Sequence, residues 1–286
     1  MSASNQSYKE LAIPYFKEVF DIIDRVMNEA GAPYYLIGAS AIALQLLQQN
    51  IKPARGTKDI DFAVMLSSLN EYDEIVARLL ENGFSEVKDV PHRLYHGQYN
   101  AAVDILPFGE IEEDSTVHFV ERNTELHVLG FSEVLKTTEQ VAIEETIANL
   151  PPLAGMVILK LVAWSDRPEM RQNDLADILL VIDKFFEFSW DEIVEHHNDT
   201  FPEEGFDQLI IAAQVLGRKA RPFINANERL NDRIMSVLQV NLASASESAI
   251  AKEWSRIHGW EVKYAQSILE AFHKGLTEEW NITEKR

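Results

Sequence analysis

Residues 58–62 read Lys58-Asp59-Ile60-Asp61-Phe62, and across 58–66 the apolar Ile60, Phe62 and Val64 alternate with Asp59, Asp61 and Ala63. Alternation with a period of two marks a β-strand with one buried face. In a strand, residues i and i+2 project to the same side, so the two carboxylates leave the sheet together. At a half-buried site their repulsion is on the order of several kcal/mol and something positive must offset it. A divalent cation is the simplest such group. Because Asp-x-Asp on a strand edge is often only a solvated surface, the neighbouring elements decide its meaning.

Upstream, apolar positions at Leu11, Tyr15, Val19, Ile22, Ile23 and Met27 follow a helical rhythm over residues 8–30, which Gly31-Ala32-Pro33 stops. A short strand over 34–37 then turns through Gly38-Ala39-Ser40 into a helix over 41–49, and residues 53–57 form a loop. A small-residue turn between strand and helix offers backbone N–H groups and the positive end of a helix dipole to a phosphate, although such turns are common in any chain that mixes strands and helices. Downstream, a helix over 69–82 ends at Gly83, and strands are expected over 84–90, 93–99 and 101–106. Asp104, between Val103 and Ile105 in the last of these, is placed to supply a third carboxylate. Three strand-borne carboxylates suit Mg²⁺, with Mn²⁺ as the alternative, because such ions take oxygen ligands and share their shell with phosphate and water.

Residues 110–144 are mixed, with strands expected near 117–120 and 126–128, and Pro151-Pro152 marks a domain boundary. Beyond it the pattern is helical over 153–164, 172–186, 190–197, 206–216, 228–238 and from 246 onward. The expected architecture is α+β: a mixed sheet with flanking helices over 1–150, followed by a helical domain over 151–286.

Composition narrows the classes of function. The 286 residues carry a formal net charge of -20, which argues against broad nonspecific binding to nucleic acid, since that depends on Lys and Arg displacing counterions. A few placed cations and metal ions can still cover a nucleotide's phosphates. No cysteine is present, so disulfides and thiolate metal sites are excluded. Neither a membrane-length apolar run nor a signal-peptide pattern occurs, and a soluble cytoplasmic protein with no membrane partner is expected. His92 and His96 fall in an expected strand, where residues four apart are too distant to share a zinc ion.

In their order along the chain, these strings resemble the nucleotidyltransferases of the DNA polymerase beta superfamily. The matching elements are Tyr35-Leu36-Ile37-Gly38-Ala39-Ser40, then Asp59-Ile60-Asp61-Phe62, then Val103-Asp104-Ile105. Within that superfamily the chain looks most like the AbiEii/AbiGii toxin branch, through Arg55-Gly56-Thr57-Lys58-Asp59-Ile60-Asp61 and through Lys160-Leu161-Val162-Ala163-Trp164-Ser165-Asp166-Arg167 followed by Asp174-Leu175-Ala176-Asp177. Ala39 departs from the family's usual Gly or Ser, and Ser40 directly after it can replace the hydroxyl.

The resemblance implies a nucleotidyltransferase fold whose helical domain closes over the nucleotide. It also implies transfer of a nucleoside monophosphate from an NTP to an acceptor hydroxyl. Asp59, Asp61 and Asp104 would hold metal, Asp104 acting as or beside the general base. Gly38, Ala39 and Ser40 would cradle phosphates, and Arg55, Thr57 and Lys58 would line the nucleotide site. Lys160 would contact phosphate or base. Asp174 and Asp177, three apart on one helix face, would position a cation or join the catalysis, the alternative being a salt-bridged helix surface. The branch suggests a tRNA acceptor and an antitoxin partner, while the acidity of the chain suits a protein or small-molecule acceptor equally well. Two other classes stay open: a noncatalytic nucleotide-binding or interaction module on the same fold, and a Mg²⁺-dependent phosphoester hydrolase.

Overall fold

The structure is a computed structural model and describes residues 8–11, 13–52, 59–120 and 123–280. The chain divides into two compact units, with the boundary between Pro152 and Leu153.

The first unit is built on a five-stranded sheet, β1 (Tyr34–Ile37), β2 (Asp59–Met65), β3 (Phe84–Val87), β4 (Val90–His96) and β5 (Ala101–Phe108), in the order β1-β2-β5-β4-β3. The β2–β5 pair is parallel and the other pairs are antiparallel, so the sheet is mixed. Its apolar face carries Leu36, Ile60, Phe62, Leu94, Val103 and Ile105, all fully buried. Helix α1 (Phe16–Ala30) covers that face: Phe20 packs on Phe62 with ring centroids 5.9 Å apart and on Tyr34 at 6.3 Å. Helix α2 (Gly38–Gln48) follows β1 directly, and α3 (Leu69–Glu81) is started by Ser68, which accepts the Glu71 N–H while Glu71 accepts the Ser67 N–H at 2.8 Å.

Several boundaries differ from the sequence expectation. The first helix does not start at Tyr8: residues 8–10 form a short 3-10 turn, and Tyr15, with φ 59, breaks the path before α1 begins. A repeat of apolar residues runs across this break, because both segments present apolar groups to one core. The β3–β4 turn lies around Lys88 and Asp89, and the β4–β5 turn takes Gly97 to Asn100, one Gly and one residue at positive φ doing the bending. The expected strands near 117–120 and 126–128 are a hairpin, β6 (Thr116–Phe119) with β7 (Thr124–His127). A short helix α4 (Phe131–Val134) and a second hairpin, β8 (Glu139–Ile143) with β9 (Thr146–Leu150), were not expected.

The second unit is helical: α5 (Leu153–Asp166), α6 (Gln172–Phe188), α7 (Trp190–His196), α8 (Gln208–Asn225), α9 (Glu228–Leu242), α10 (Ala249–His258) and α11 (Val262–Thr277). Helix α8 begins at Gln208 because Asp207 caps Leu209 and Ile210, and it runs through Pro222 instead of stopping near 216 because Ala220 and Ile224 are still core. The stretch from 246 onward is two helices, separated where Gly259 takes φ 71. Among the described residues no helix is long and apolar enough to cross a membrane.

Helices α8 and α11 touch backbone to backbone. A Cβ on Gly217 would collide with the Phe272 carbonyl, and one on Gly275 with the Gln214 carbonyl. Gly275→Ala must push the helices apart, and a loss of about 1–3 kcal/mol in unfolding free energy is expected from denaturant titration.

At one end of this unit His197 is buried, 3.3 Å from Arg218 Nη1 through its Nδ1 and stacked on Trp280 at 4.3 Å. Burial first, and the Arg218 charge second, push its imidazole from 6.5 to about 4. Between those values the unfolded chain binds a proton that the folded chain refuses. Stability is therefore full above pH 6.5 and falls as the pH drops toward 4, by up to roughly 3 kcal/mol. His197→Gln should flatten the unfolding free energy over that window, leaving the slope at lower pH to which Asp199 and Glu278, held below the usual carboxylate range by Arg218, and Glu253, held low by Arg256, contribute.

Candidate metal and nucleotide site

The sheet register brings the acidic residues together. Asp61 on β2 stands opposite Ile37 on β1 and opposite Asp104 on β5, and Asp104 in turn stands opposite Arg93 on β4. Opposed residues share a face, so one row across the sheet puts Asp61, Asp104 and Arg93 on the side away from Phe62. Asp59 lies two residues before Asp61 on that side, opposite the small Ala102. One carboxylate oxygen from each of Asp59, Asp61 and Asp104 lies within 4.8 Å of the others. Oxygens around one Mg²⁺ ion lie about 3–4 Å apart, so three hard oxygen donors at this spacing fit the ion with small side-chain rotations. Asp104 is buried, whereas Asp59 and Asp61 are half-exposed, so the cluster opens to solvent on one side.

Arg93 is the counter-charge. Its Nε donates to Asp104 Oδ1 at 2.6 Å and its Nη2 donates to Asp104 Oδ2 at 2.7 Å, a two-pronged contact, and Nη2 also reaches Asp59 Oδ2 at 3.0 Å. The small side chain of Ala102 leaves room for this reach across β5. The hydrogen bond with Asp104 holds the guanidinium above the ordinary arginine range, so it is always charged. Sequence reasoning missed Arg93. The signal was there in Gly97-Gln98-Tyr99-Asn100: a four-residue turn at that point pairs His96 with Ala101 and therefore Arg93 with Asp104.

Gly38 adjoins the cluster. It has φ +70, and a Cβ there would fall inside the van der Waals envelope of Asp61 Oδ2. Only glycine lets the start of α2 approach that carboxylate. The helix starts with no side-chain cap, and Gly38 and Ala39 are half-buried, so its first N–H groups are not claimed by a capping residue. Ser40 is fully buried, and its hydroxyl donates to the Ile37 carbonyl at 3.3 Å. Arg55, Thr57 and Lys58 lie outside the described residues.

In the helical unit Lys160 on α5 points at Asp174 and Asp177 on α6. Its Nζ lies 2.8 Å from Asp174 Oδ1 and 2.8 Å from Asp177 Oδ2. All three residues are buried, at 7%, 7% and 4% exposure, so the alternative of a salt-bridged helix surface does not hold. Burial acts to lower the Lys160 pKa, but Asp177 and Asp174 more than offset it, and the ammonium is held above its ordinary value. One ammonium between two carboxylates leaves this cluster with a net negative charge, and Arg171 Nη1 is 3.8 Å from Asp174.

No family model and no curated protein matches the chain. Among solved structures it is similar to an antigenic nucleotidyltransferase-like protein from Paracoccidioides brasiliensis, at 13% identity and TM-score 0.39, over 77% of this chain and 91% of that one. It is similar to the antibiotic-resistance factor ANT(2'')-Ia, at 13% identity and TM-score 0.38, over 77% and 93%. It is also similar to a CCA-adding enzyme in complex with ATP, at 13% identity and TM-score 0.30, over 91% and 80%. The functional reading therefore rests on the residues of the site.

The buried trio can be separated into its structural and functional parts. Lys160→Met leaves two buried carboxylates without their cation and should cost about 3–5 kcal/mol of stability. Adding Asp174→Asn and Asp177→Asn should restore most of it, read as the thermal midpoint. If the triple variant is as unstable as the single one, the ion pairs do not account for the loss.

Proposed function

We propose that this chain is a divalent-metal-dependent nucleotidyltransferase that moves a nucleoside monophosphate from an NTP to an acceptor hydroxyl and releases pyrophosphate. The observation that carries the reading is the convergence of Asp59, Asp61 and Asp104 beside Gly38 and the uncapped start of α2. Three oxygen donors next to backbone N–H groups are what a metal-bound triphosphate requires. Asp59, Asp61 and Asp104 would hold the ion, Mg²⁺ first and Mn²⁺ as the alternative. When bound, it neutralises phosphate charge and makes the acceptor hydroxyl more acidic.

The chain's own groups do the remaining work. The Gly38-Ala39 backbone receives phosphate oxygens at the helix terminus, and Gly38 keeps that terminus tight against Asp61. Asp104, buried and fixed on β5, takes the proton of the attacking hydroxyl. Arg55, Thr57 and Lys58 are assigned to the triphosphate by their place before Asp59. Lys160 is assigned a contact to phosphate or base, with Asp174 and Asp177 as the residues that position its ammonium. Positioning and charge neutralisation supply most of the acceleration in such reactions.

The strings from Arg55 to Asp61 and from Lys160 to Asp177 support the narrower reading of an AbiEii/AbiGii-like toxin. On that reading the acceptor is the 3' end of a tRNA and an antitoxin is the partner. The guanidinium of Arg93, lying across two of the three carboxylates, is the observation that would instead suit a noncatalytic module.

The test is incubation of purified protein with each radiolabelled NTP, Mg²⁺ and total tRNA, beside Asp59→Asn, Asp61→Asn and Gly38→Ala. Label should enter RNA with the wild type and fall by roughly a hundredfold or more in each variant. Label in protein or a small molecule would reassign the acceptor. Phosphate release without transfer would make the chain a hydrolase, and metal-dependent NTP binding with no turnover would make it a binding module.

A further inference from the structure

Arg93 has no part in the transfer chemistry as set out above, yet its guanidinium touches two of the proposed metal ligands. Its N–H groups meet both oxygens of Asp104 and one of Asp59, two of the three carboxylates whose oxygens lie within 4.8 Å of one another. A guanidinium and a divalent ion cannot hold those oxygens together without repelling each other across a few ångströms. The side chain is also able to leave: β4 fixes its backbone by register, but the side chain itself is 35% exposed.

We propose that Arg93 is a built-in counter-cation that competes with the divalent metal for Asp59 and Asp104, and so ties metal occupancy to the arrival of a nucleotide. The proposal rests on the metal-site reading above. Without metal, Arg93 holds Asp104 and Asp59 together against the repulsion within the cluster. With metal, it gives up Asp59, and its N–H groups turn to the negative oxygens of the triphosphate, whose charge replaces the lost contacts. An ordinary structural ion pair would behave in the opposite way, because removing it would loosen the ligands and weaken metal binding.

The sign of that effect is measurable without turnover. Mn²⁺ binding to the full chain, followed by the electron paramagnetic resonance signal of the free ion and in the absence of nucleotide, is compared for wild type, Arg93→Met, Arg93→Lys and Asp104→Asn. Thermal unfolding is recorded with and without Mn²⁺. Arg93→Met should bind Mn²⁺ about tenfold more tightly or better. It should melt below the wild type without metal, and saturating Mn²⁺ should raise its midpoint more than that of the wild type. Arg93→Lys keeps the charge but not the fork, and should fall in between.

Equal or weaker Mn²⁺ binding by folded Arg93→Met would overturn the proposal. If Arg93→Met does not fold, Arg93→Lys decides by the same criterion. Asp104→Asn separates the two levels: if it loses Mn²⁺ binding while the Arg93 variants gain none, only the role of Arg93 falls. If it binds like the wild type, or if no chain binds Mn²⁺, the metal-site reading falls too.

Discussion

Three carboxylates held within 4.8 Å of one another are the constraint that organises the first unit. Left alone they would repel strongly, and the sheet would gain nothing by presenting them on one side. They stay because each is fixed by a strand whose opposite face is deep in the core. Asp59 and Asp61 flank Ile60 and precede Phe62, and Asp104 sits between Val103 and Ile105. Moving any of these carboxylates off the site would turn its strand over and expose that apolar set. The core thus supplies the free energy that keeps the charges close, and Arg93 supplies the local compensation.

The same arrangement explains why Gly38 is glycine. The parallel β2–β5 pair and the antiparallel β1–β2 pair put the end of β1 beside Asp61, and α2 has to start at once from that point. Both the positive φ and the absence of a Cβ are needed to bring backbone N–H groups near the carboxylates. The backbone N–H groups of a helix start and a cluster of carboxylates are thereby joined in one short segment of fold.

The helical unit treats buried charge by another rule. Lys160, Asp174 and Asp177 are all buried, whereas only Asp104 of the sheet cluster is, and one ammonium is shared between their two carboxylates. Well-packed apolar residues can be as stable as a buried ion pair, whereas removing one partner of the pair is strongly destabilising.

Much of this was legible in the sequence, because period-two alternation fixes which side chains share a strand face, and the Asp59/Asp61 pair follows from it directly. The strand carrying Asp104, the turn at Gly38 and the helical character beyond Pro152 follow from local pattern as well. Strand pairing could not be read in the same way: that β5 lies parallel beside β2, with Asp104 against Asp61, is a long-range fact set by how the whole sheet buries its apolar face. Arg93 became part of the site only through the β4–β5 register, and the partner of the buried Ser40 hydroxyl, the Ile37 carbonyl, was not legible either. The sequence by itself determined the chemistry available, carboxylates, a glycine turn and a few cations. Only the tertiary structure decided which of them meet, because proximity across strands depends on register and burial, which no local stretch of chain contains.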